Sequence, residues 1–419
     1  MLKILRYYGA IPILFCLLTN VYVDMFSSKP VGSTLFRFTV CLCMLISLVV
    51  YKIRYFAPEN KSDYRIVGIY FIWMIIGCIR GFFVADNYWE YMQLYEGLLC
   101  LSMPITVYVF SNPGILQKTL HLWLWVALLV FGVHYFWVLD PGAYHFSFGP
   151  LFIACFIPVM PTKWKIGFLG LCLLMLFADF AARSQLIKAG VVLFICLAYI
   201  FYKYIPRSLF YLAHWLCYIG PVVLLYLAIA GIFNPLAASN DKAMQTVQDD
   251  KVVNGVSFQE DMATDSRTFI YEEVINSAVK HDYIWFGRTP ARGNDSWWFG
   301  KYHAEELKTG KYERHGNEMC HPNIFTWLGL LGVSLYGLIF LKSSYLALYK
   351  SNSLWMKLIG VFIAFRWAFG WIEDTLEFNV MHFGIWMTIA MGLSEKFRAM
   401  SDKEIEEFVL SILKLKSDK

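Results

Sequence analysis

The chain has 419 residues, of which 58% are apolar and only 16% charged, and its formal net charge is +5. Soluble domains carry roughly a quarter charged residues, so this balance, with a mean hydropathy of +0.51, excludes an ordinary soluble protein and describes an integral membrane one. A net charge this small also gives nucleic acid little reason to bind.

Apolar runs of about 20 residues recur along nearly the whole length, which is what a spanning helix needs; barrel strands would alternate over roughly ten. The sequence therefore predicts an all-α integral membrane protein with about 12 transmembrane helices and one large periplasmic loop containing an amphipathic helix. The helices are expected near residues 7–26, 35–54, 65–85, 93–110, 120–139, 146–161, 164–180, 184–203, 209–233, 321–342, 354–372 and 377–395. Lys3 and Arg6 precede the first, with no small-residue cleavage site after it, which predicts a retained signal anchor. The sixth is short and contains Pro158.

Lysine and arginine concentrate on the cytoplasmic side of membrane proteins. With the N-terminus inside, the even-numbered loops carry Lys52, Arg54, Lys61 and Arg65, then Lys118, Lys163 with Lys165, Lys203 with Arg207, and Lys342 with Lys350. The odd-numbered loops carry Asp86, Glu90, Asp140, Asp179, Glu373, Asp374 and Glu377, with Lys29 the exception. Both termini are thus expected in the cytoplasm. The chain divides into nine helices over 1–233, an outer loop over 234–320, three helices over 321–395 and a cytoplasmic tail over 396–419. In the tail Ile405, Phe408, Val409, Ile412 and Leu413 recur at helical spacing between charges, which predicts a short amphipathic helix.

The long loop begins polar and acidic, as NDKAMQTVQDDKVVNG, a composition that predicts a partly mobile segment. From Asp265 the pattern changes. Asp265 or Ser266 can cap a helix, and Phe269, Ile270, Val274, Ile275 and Ala278 recur on one face. Gly287, Pro290 and Gly293 then mark an irregular stretch. Of the ten cysteines only Cys320 falls in this passage, so no disulfide forms within it.

The chemistry-bearing residues gather here. Arg183 stands in FADFAARSQLIKAG, where an outward-side arginine is costly unless it pairs, with Asp179 for instance, or meets an anion. Arg267, Arg288, Arg292 and Arg314 lie in the long loop, which is slightly acidic as a whole, so they do not serve a generally basic surface. Guanidinium groups grip phosphate oxygens in a planar, bidentate way and never deprotonate, which suits a diphosphate. Arg267 as a solvated charge on its helix remains the alternative. Arg80 and Arg366 are weaker members of the set, and Arg366 has Glu373 and Asp374 within reach in sequence.

His321 starts a spanning segment, with Pro322 in a position well tolerated in a first helical turn. A neutral imidazole there either caps locally or takes a proton from a hydroxyl near neutral pH. His315, Glu318 and His321 form H-x-x-E-x-x-H, which is not the zincin spacing, so no metal or other cofactor is expected. His145, His281 and His303 are expected at the surface, and Trp297, Trp298 and Tyr302 either mark the membrane interface or stack on sugars.

From Arg183 to Tyr336 the chain resembles the O-antigen ligase and polymerase superfamily of bacterial membrane glycosyltransferases. ARSQLIKAG resembles the family's arginine opening a helix after a short outer loop, and DSRTFIYEEVI its second arginine heading a helix in the periplasmic loop. GRTPARGND resembles its glycine-bearing loop, and His321 with Gly332 its helix-leading histidine and the glycine eleven positions on. The ligase form usually follows the histidine directly with Asn, Ser or Gln, and has Gly, Thr or Tyr three residues past the glycine. Here Pro322 precedes Asn323 and Leu335 holds the later position, with Tyr336 one beyond.

The resemblance implies metal-independent, inverting transfer of a glycan from undecaprenyl diphosphate to a sugar hydroxyl at the periplasmic face of a bacterial inner membrane. It implies His321 as base, Arg183 and Arg267 facing the departing diphosphate, and Arg288, Arg292 and Arg314 holding the donor. The ligase form, with lipid A–core as acceptor, is favoured over the polymerase on the spacing from His321 to Gly332. A transporter or lipid flippase shares the twelve-helix plan, but carriers tend to show repeated halves, and none is visible here.

Overall fold

A computed structural model of the chain describes residues 9–22, 34–133, 151–177, 183–229, 249–253, 256–260, 267–297 and 299–413. It is almost entirely helical. In order the helices are α1 (Ala10–Tyr22), α2 (Thr34–Tyr55), α3 (Arg65–Val84), α4 (Tyr88–Leu101), the single turn α5 (Val107–Phe110), α6 (Pro113–Val133), α7 (Thr162–Phe177), α8 (Arg183–Ile200) and α9 (Arg207–Ile229). The long loop contributes a hairpin of β1 (Asp249–Val253) and β2 (Val256–Glu260), helix α10 (Arg267–Lys280) and the short pair β3 (Asn294–Asp295) and β4 (Glu313–Arg314). Then follow α11 (Cys320–Tyr349), α12 (Leu354–Phe369), α13 (Val380–Leu393), α14 (Glu395–Ala399) and α15 (Asp402–Leu413).

Eleven of the twelve expected spanning segments overlap one of these helices, and five of the described stretches are long and apolar enough to cross a membrane on their own: Phe36–Tyr55, Lys61–Val84, Tyr88–Phe110, Arg207–Leu227 and Cys320–Tyr349. The sixth expected span departs most from expectation. Its described part, Leu151–Val159, is a 3-10 helix of nine residues with Pro158 inside. At about 2.0 Å per residue it covers roughly 18 Å, short of a hydrocarbon core of about 30 Å. Phe152, Ile153, Ala154, Cys155 and Phe156 are buried in it, so this described part packs inside the bundle.

The β1–β2 hairpin was also not foreseen: the strands pair antiparallel from Asp249 with Glu260 to Val253 with Val256.

The bundle has a centre and a rim. The spanning window of α11 is 61% buried and that of α9 only 6%, so α11 is the axis and α9 faces lipid with Leu209, Leu212, Leu216 and Ile219. In lipid no hydrophobic force drives helices together, and close approach through small residues replaces it. Gly337 of α11 lies against the Trp367 ring, Gly360 of α12 against the backbone of α11, and Gly392 of α13 against Ser343.

The tail closes the opposite end from the long loop, as its amphipathic pattern anticipated. Ile405, Val409, Ile412 and Leu413 are buried, Tyr199 donates to Glu406 (2.9 Å), and His121 Nδ1 lies 2.6 Å from the Ile412 carbonyl.

Candidate functional site

The irregular stretch of the loop enters the bundle. At Gly329 the axis helix α11 breaks, with φ +71° and ψ −173°, and residues 283–289 fill the gap. Arg288 N donates to the Thr326 carbonyl (2.7 Å) and Thr289 N to that of Trp327 (3.1 Å), while Leu330 N donates to Ile284 (2.8 Å) and Leu331 N to Trp285 (3.3 Å). Trp73 Nε1 takes the Leu328 carbonyl (3.0 Å), and Arg80 takes those of Phe286 (2.8 Å) and Gly287 (3.1 Å). Broken helix in a bundle survives only where protein satisfies its freed groups, and here the loop does so. The crossing needs two glycines. Gly287 has φ +70°, and a Cβ there would lie 2.5 Å from Leu328 N; a Cβ on Gly329 would overlap the Trp285 carbonyl oxygen. Thr289 is held at φ +100°, a strained value for a β-branched residue, between its bond to Trp327 and its carbonyl's bond from Arg292 N.

The loop arginines are spent on this plug. Arg292 grips Glu313 bidentately, and Arg288 reaches the same carboxylate (3.0 Å), Asp295 (2.9 Å) and the Gly293 carbonyl (2.9 Å). Burial pushes the Glu313 and Asp295 carboxyls up, but these partners win. Glu313 sits below its ordinary range through Arg292 and Arg288, and Asp295 falls to about 2 through Lys280, His281 and Arg288. Arg314 lies over the Phe299 ring (4.0 Å) and donates to Glu318 (3.2 Å) and Gly316 (3.1 Å). Lys311 ties the plug to the start of α4 through Asp86 (2.9 Å) and Glu90 (2.5 Å). A diphosphate at Arg288 or Arg292 would have to displace these carboxylates.

Three helix starts meet instead at the turn between α12 and α13. Arg183 is the first residue of α8 and Arg267 of α10, each placed by its backbone. Five residues on from Arg183, Lys188 Nζ pairs with Glu373 (2.6 Å), which Arg366 also approaches (3.5 Å). Burial opposes ionisation of Glu373, but Lys188 and Arg366 hold its pKa below the usual value. One turn on from Arg267, Tyr271 donates to the Trp371 carbonyl (2.7 Å), while Ile270 and Val274 pack on Met319.

The start of α11 is capped by the same turn: Cys320 N donates to the carbonyls of Gly370 (3.1 Å) and Glu373 (3.0 Å), and His321 N to Gly370 (3.3 Å). Pro322, lacking an N–H, leaves no donor unpaired at the next position. The His321 ring is 2% exposed, 4.1 Å from the Trp367 ring centre and 4.7 Å from that of Trp371. Its Nε2 lies 3.0 Å from the Trp367 carbonyl, which can only accept, so the proton is on Nε2 and Nδ1 carries the lone pair. Nδ1 has no hydrogen-bond partner among the described residues, nor do Arg366 Nε and Trp371 Nε1. The histidine that starts α11 is therefore covered.

The other face of this turn borders a cavity of about 350 Å³ that α2 and α4 help to line. Arg37, Gln93, Glu96, His315, Asn323, Trp327, Asp374 and Glu377 are among its lining residues. Burial pushes the Asp374 carboxyl up to about 7, with Glu377 and Glu373 adding to it, against hydrogen bonds from Leu376 N (3.0 Å) and Asn323 Nδ2 (3.3 Å). Burial and His303 lower His315 to about 4, so its ring is neutral at pH 7.

His315, Glu318 and His321 diverge, toward His303, Arg314 and Trp367 respectively, and among the described residues no cluster is arranged to hold a metal ion. Arg366 pairs with Glu373, the bland alternative for it. Trp297 stacks on Tyr312 (4.3 Å) and is 69% exposed, while Trp298 and His145 lie outside the described residues. Sequence reasoning missed Lys188, a charge inside an apolar helix, and the carboxylate cavity, whose one signal was the run of Glu373, Asp374 and Glu377. No family model matches the chain, and no curated protein matches it.

Proposed function

We propose that the protein is a multi-pass glycosyltransferase of a bacterial inner membrane, with about twelve spans and both termini cytoplasmic. It ligates O-antigen glycan from undecaprenyl diphosphate onto lipid A–core at the periplasmic face. The observation that carries this is the meeting of three sequence-distant helix starts, headed by Arg183, Arg267 and Cys320-His321, at the one turn from Gly370 to Asp374.

In this scheme Nδ1 of His321 takes the proton of the acceptor hydroxyl. The hydroxyl oxygen bonds to the anomeric carbon from the side opposite the diphosphate, and the old carbon–oxygen bond breaks with its electron pair on the leaving group. Arg183 and Arg267 stabilise that charge, and preorganised cations make a metal unnecessary for it. The covered ring requires Trp367 or Trp371 to move as substrates arrive. Arg288, Arg292 and Arg314 shape the loop that brings α10 to the turn.

Pro322 and Leu335 depart from the ligase form and keep repeat-unit polymerisation as the second reading. The lipopolysaccharide gel profile and lipid-linked intermediates of a deletion strain separate the two. Bare lipid A–core with long glycans left on undecaprenyl diphosphate identifies the ligase. Single repeat units on lipid A–core without a ladder identify the polymerase, and an unchanged profile refutes both.

A further inference from the structure

The cavity beside the turn has a chemistry unlike the cationic cluster. Glu96, Asp374 and Glu377 line it, with Arg37 the cation among its lining residues, 3.9 Å from Glu96. The Trp327 ring forms part of the wall, and His315, 8% exposed and with Nδ1 unpartnered among the described residues, is a further lining residue. Excess carboxylate repels phosphate and uronic acids. Carboxylates beside an aromatic residue, with a neutral imidazole, match the hydroxyls and C–H faces of an uncharged sugar. About 350 Å³ lies at the small end of ligand pockets, room for one or two rings.

We propose that this cavity is a binding site for an uncharged sugar residue, with Glu96, Asp374 and Glu377 accepting from its hydroxyls and Trp327 against its ring. Resting on the glycosyltransferase assignment, it is the acceptor subsite. Glu373 and Asp374 are neighbours in the turn, one engaged by Lys188 on the diphosphate side and the other lining the cavity, so the turn brings the two substrates together. The acceptor's reacting end is thereby specified as a neutral sugar.

The test is saturation-transfer NMR on the full-length protein in detergent with methyl glucoside, methyl galactoside, methyl glucosaminide and methyl glucuronide, followed by transfer assays with lipid A–core. The neutral glycosides are expected to show transfer signals that fall at least fivefold in Glu96→Gln and in Asp374→Asn, with thermal midpoints kept, and the glucuronide to show none. Signals unchanged in both variants, no signal from any neutral glycoside, or a signal from the cationic glucosaminide alone would overturn the proposal, the last making the cavity a cation site. Neutral glycosides that bind to a protein transferring no glycan would leave the pocket standing and remove the assigned reaction instead.

Discussion

In the loop, Arg288 and Arg292 share Glu313, and Arg288 also holds Asp295; at the helix ends, Lys188 and Arg366 share Glu373 alone. In the first set each guanidinium has a carboxylate partner, with Lys280 sharing Asp295, and the set fastens a plug into a broken helix. The second leaves two buried cations on one carboxylate, beside an imidazole nitrogen, an indole N–H and a guanidinium N–H with no partner among the described residues. An unpaired buried group costs about 1–3 kcal/mol, which a fold tolerates where a ligand can complete it. Counting arginines points to the loop; asking what they already hold points to the turn.

The largest expected effects fall at the turn. His321→Ala should lower glycan transfer by about 10²–10⁴-fold, the size of a lost general base. Full transfer by a folded His321→Ala protein would remove the base. In the plug the loss should instead be of fold. Gly329→Val adds a branched side chain at φ +71° against the Trp285 carbonyl and should cost about 3 kcal/mol or more, read as a lower unfolding midpoint in detergent. Glu313→Gln strips Arg288 and Arg292 of their shared charge and should cost roughly 3 kcal/mol, because the guanidiniums stay half-buried. Unchanged stability in Glu313→Gln would erase the distinction between the two regions.

Acid should loosen the plug. His315 has a folded pKa of about 4 against 6.5, so between those values the unfolded chain binds the extra proton. Its contribution is complete above about pH 6.5 and is lost as pH falls toward 4, on the order of 3 kcal/mol at the most. His315→Gln should flatten that part of the stability profile. The smallest effect belongs to Glu318→Gln. Its carboxylate is 59% exposed, and the pair with Arg314 should be worth less than about 0.5 kcal/mol.

Helix positions were legible because apolar runs of spanning length announce themselves, and so was the amphipathic tail. The 3-10 segment at Leu151–Val159 was not, since an all-apolar stretch carries no period to tell a core segment from a span. The break at Gly329 was hidden for another reason: GLLG inside an apolar run reads as ordinary helix until the loop that pays its hydrogen bonds is known. Helix starts at Arg183, at Arg267 and beside His321 were legible through their neighbours in sequence. The partners of Arg288 and Arg292 were not, because Glu313 lies some twenty residues away and pairs through the fold. The cavity was least legible, since α2, α4, the loop, α11 and the final turn each supply part of its wall.

The most direct measurement is transfer by the purified protein, from undecaprenyl-diphosphate-linked glycan to lipid A–core with a chelator present, comparing wild type, Arg267→Ala and Glu318→Gln. Transfer by wild type and Glu318→Gln, reduced about 10²-fold or more in Arg267→Ala, is the predicted result. No transfer by the folded wild type, or equal transfer by all three, would contradict the assignment of the turn as the site of glycan transfer.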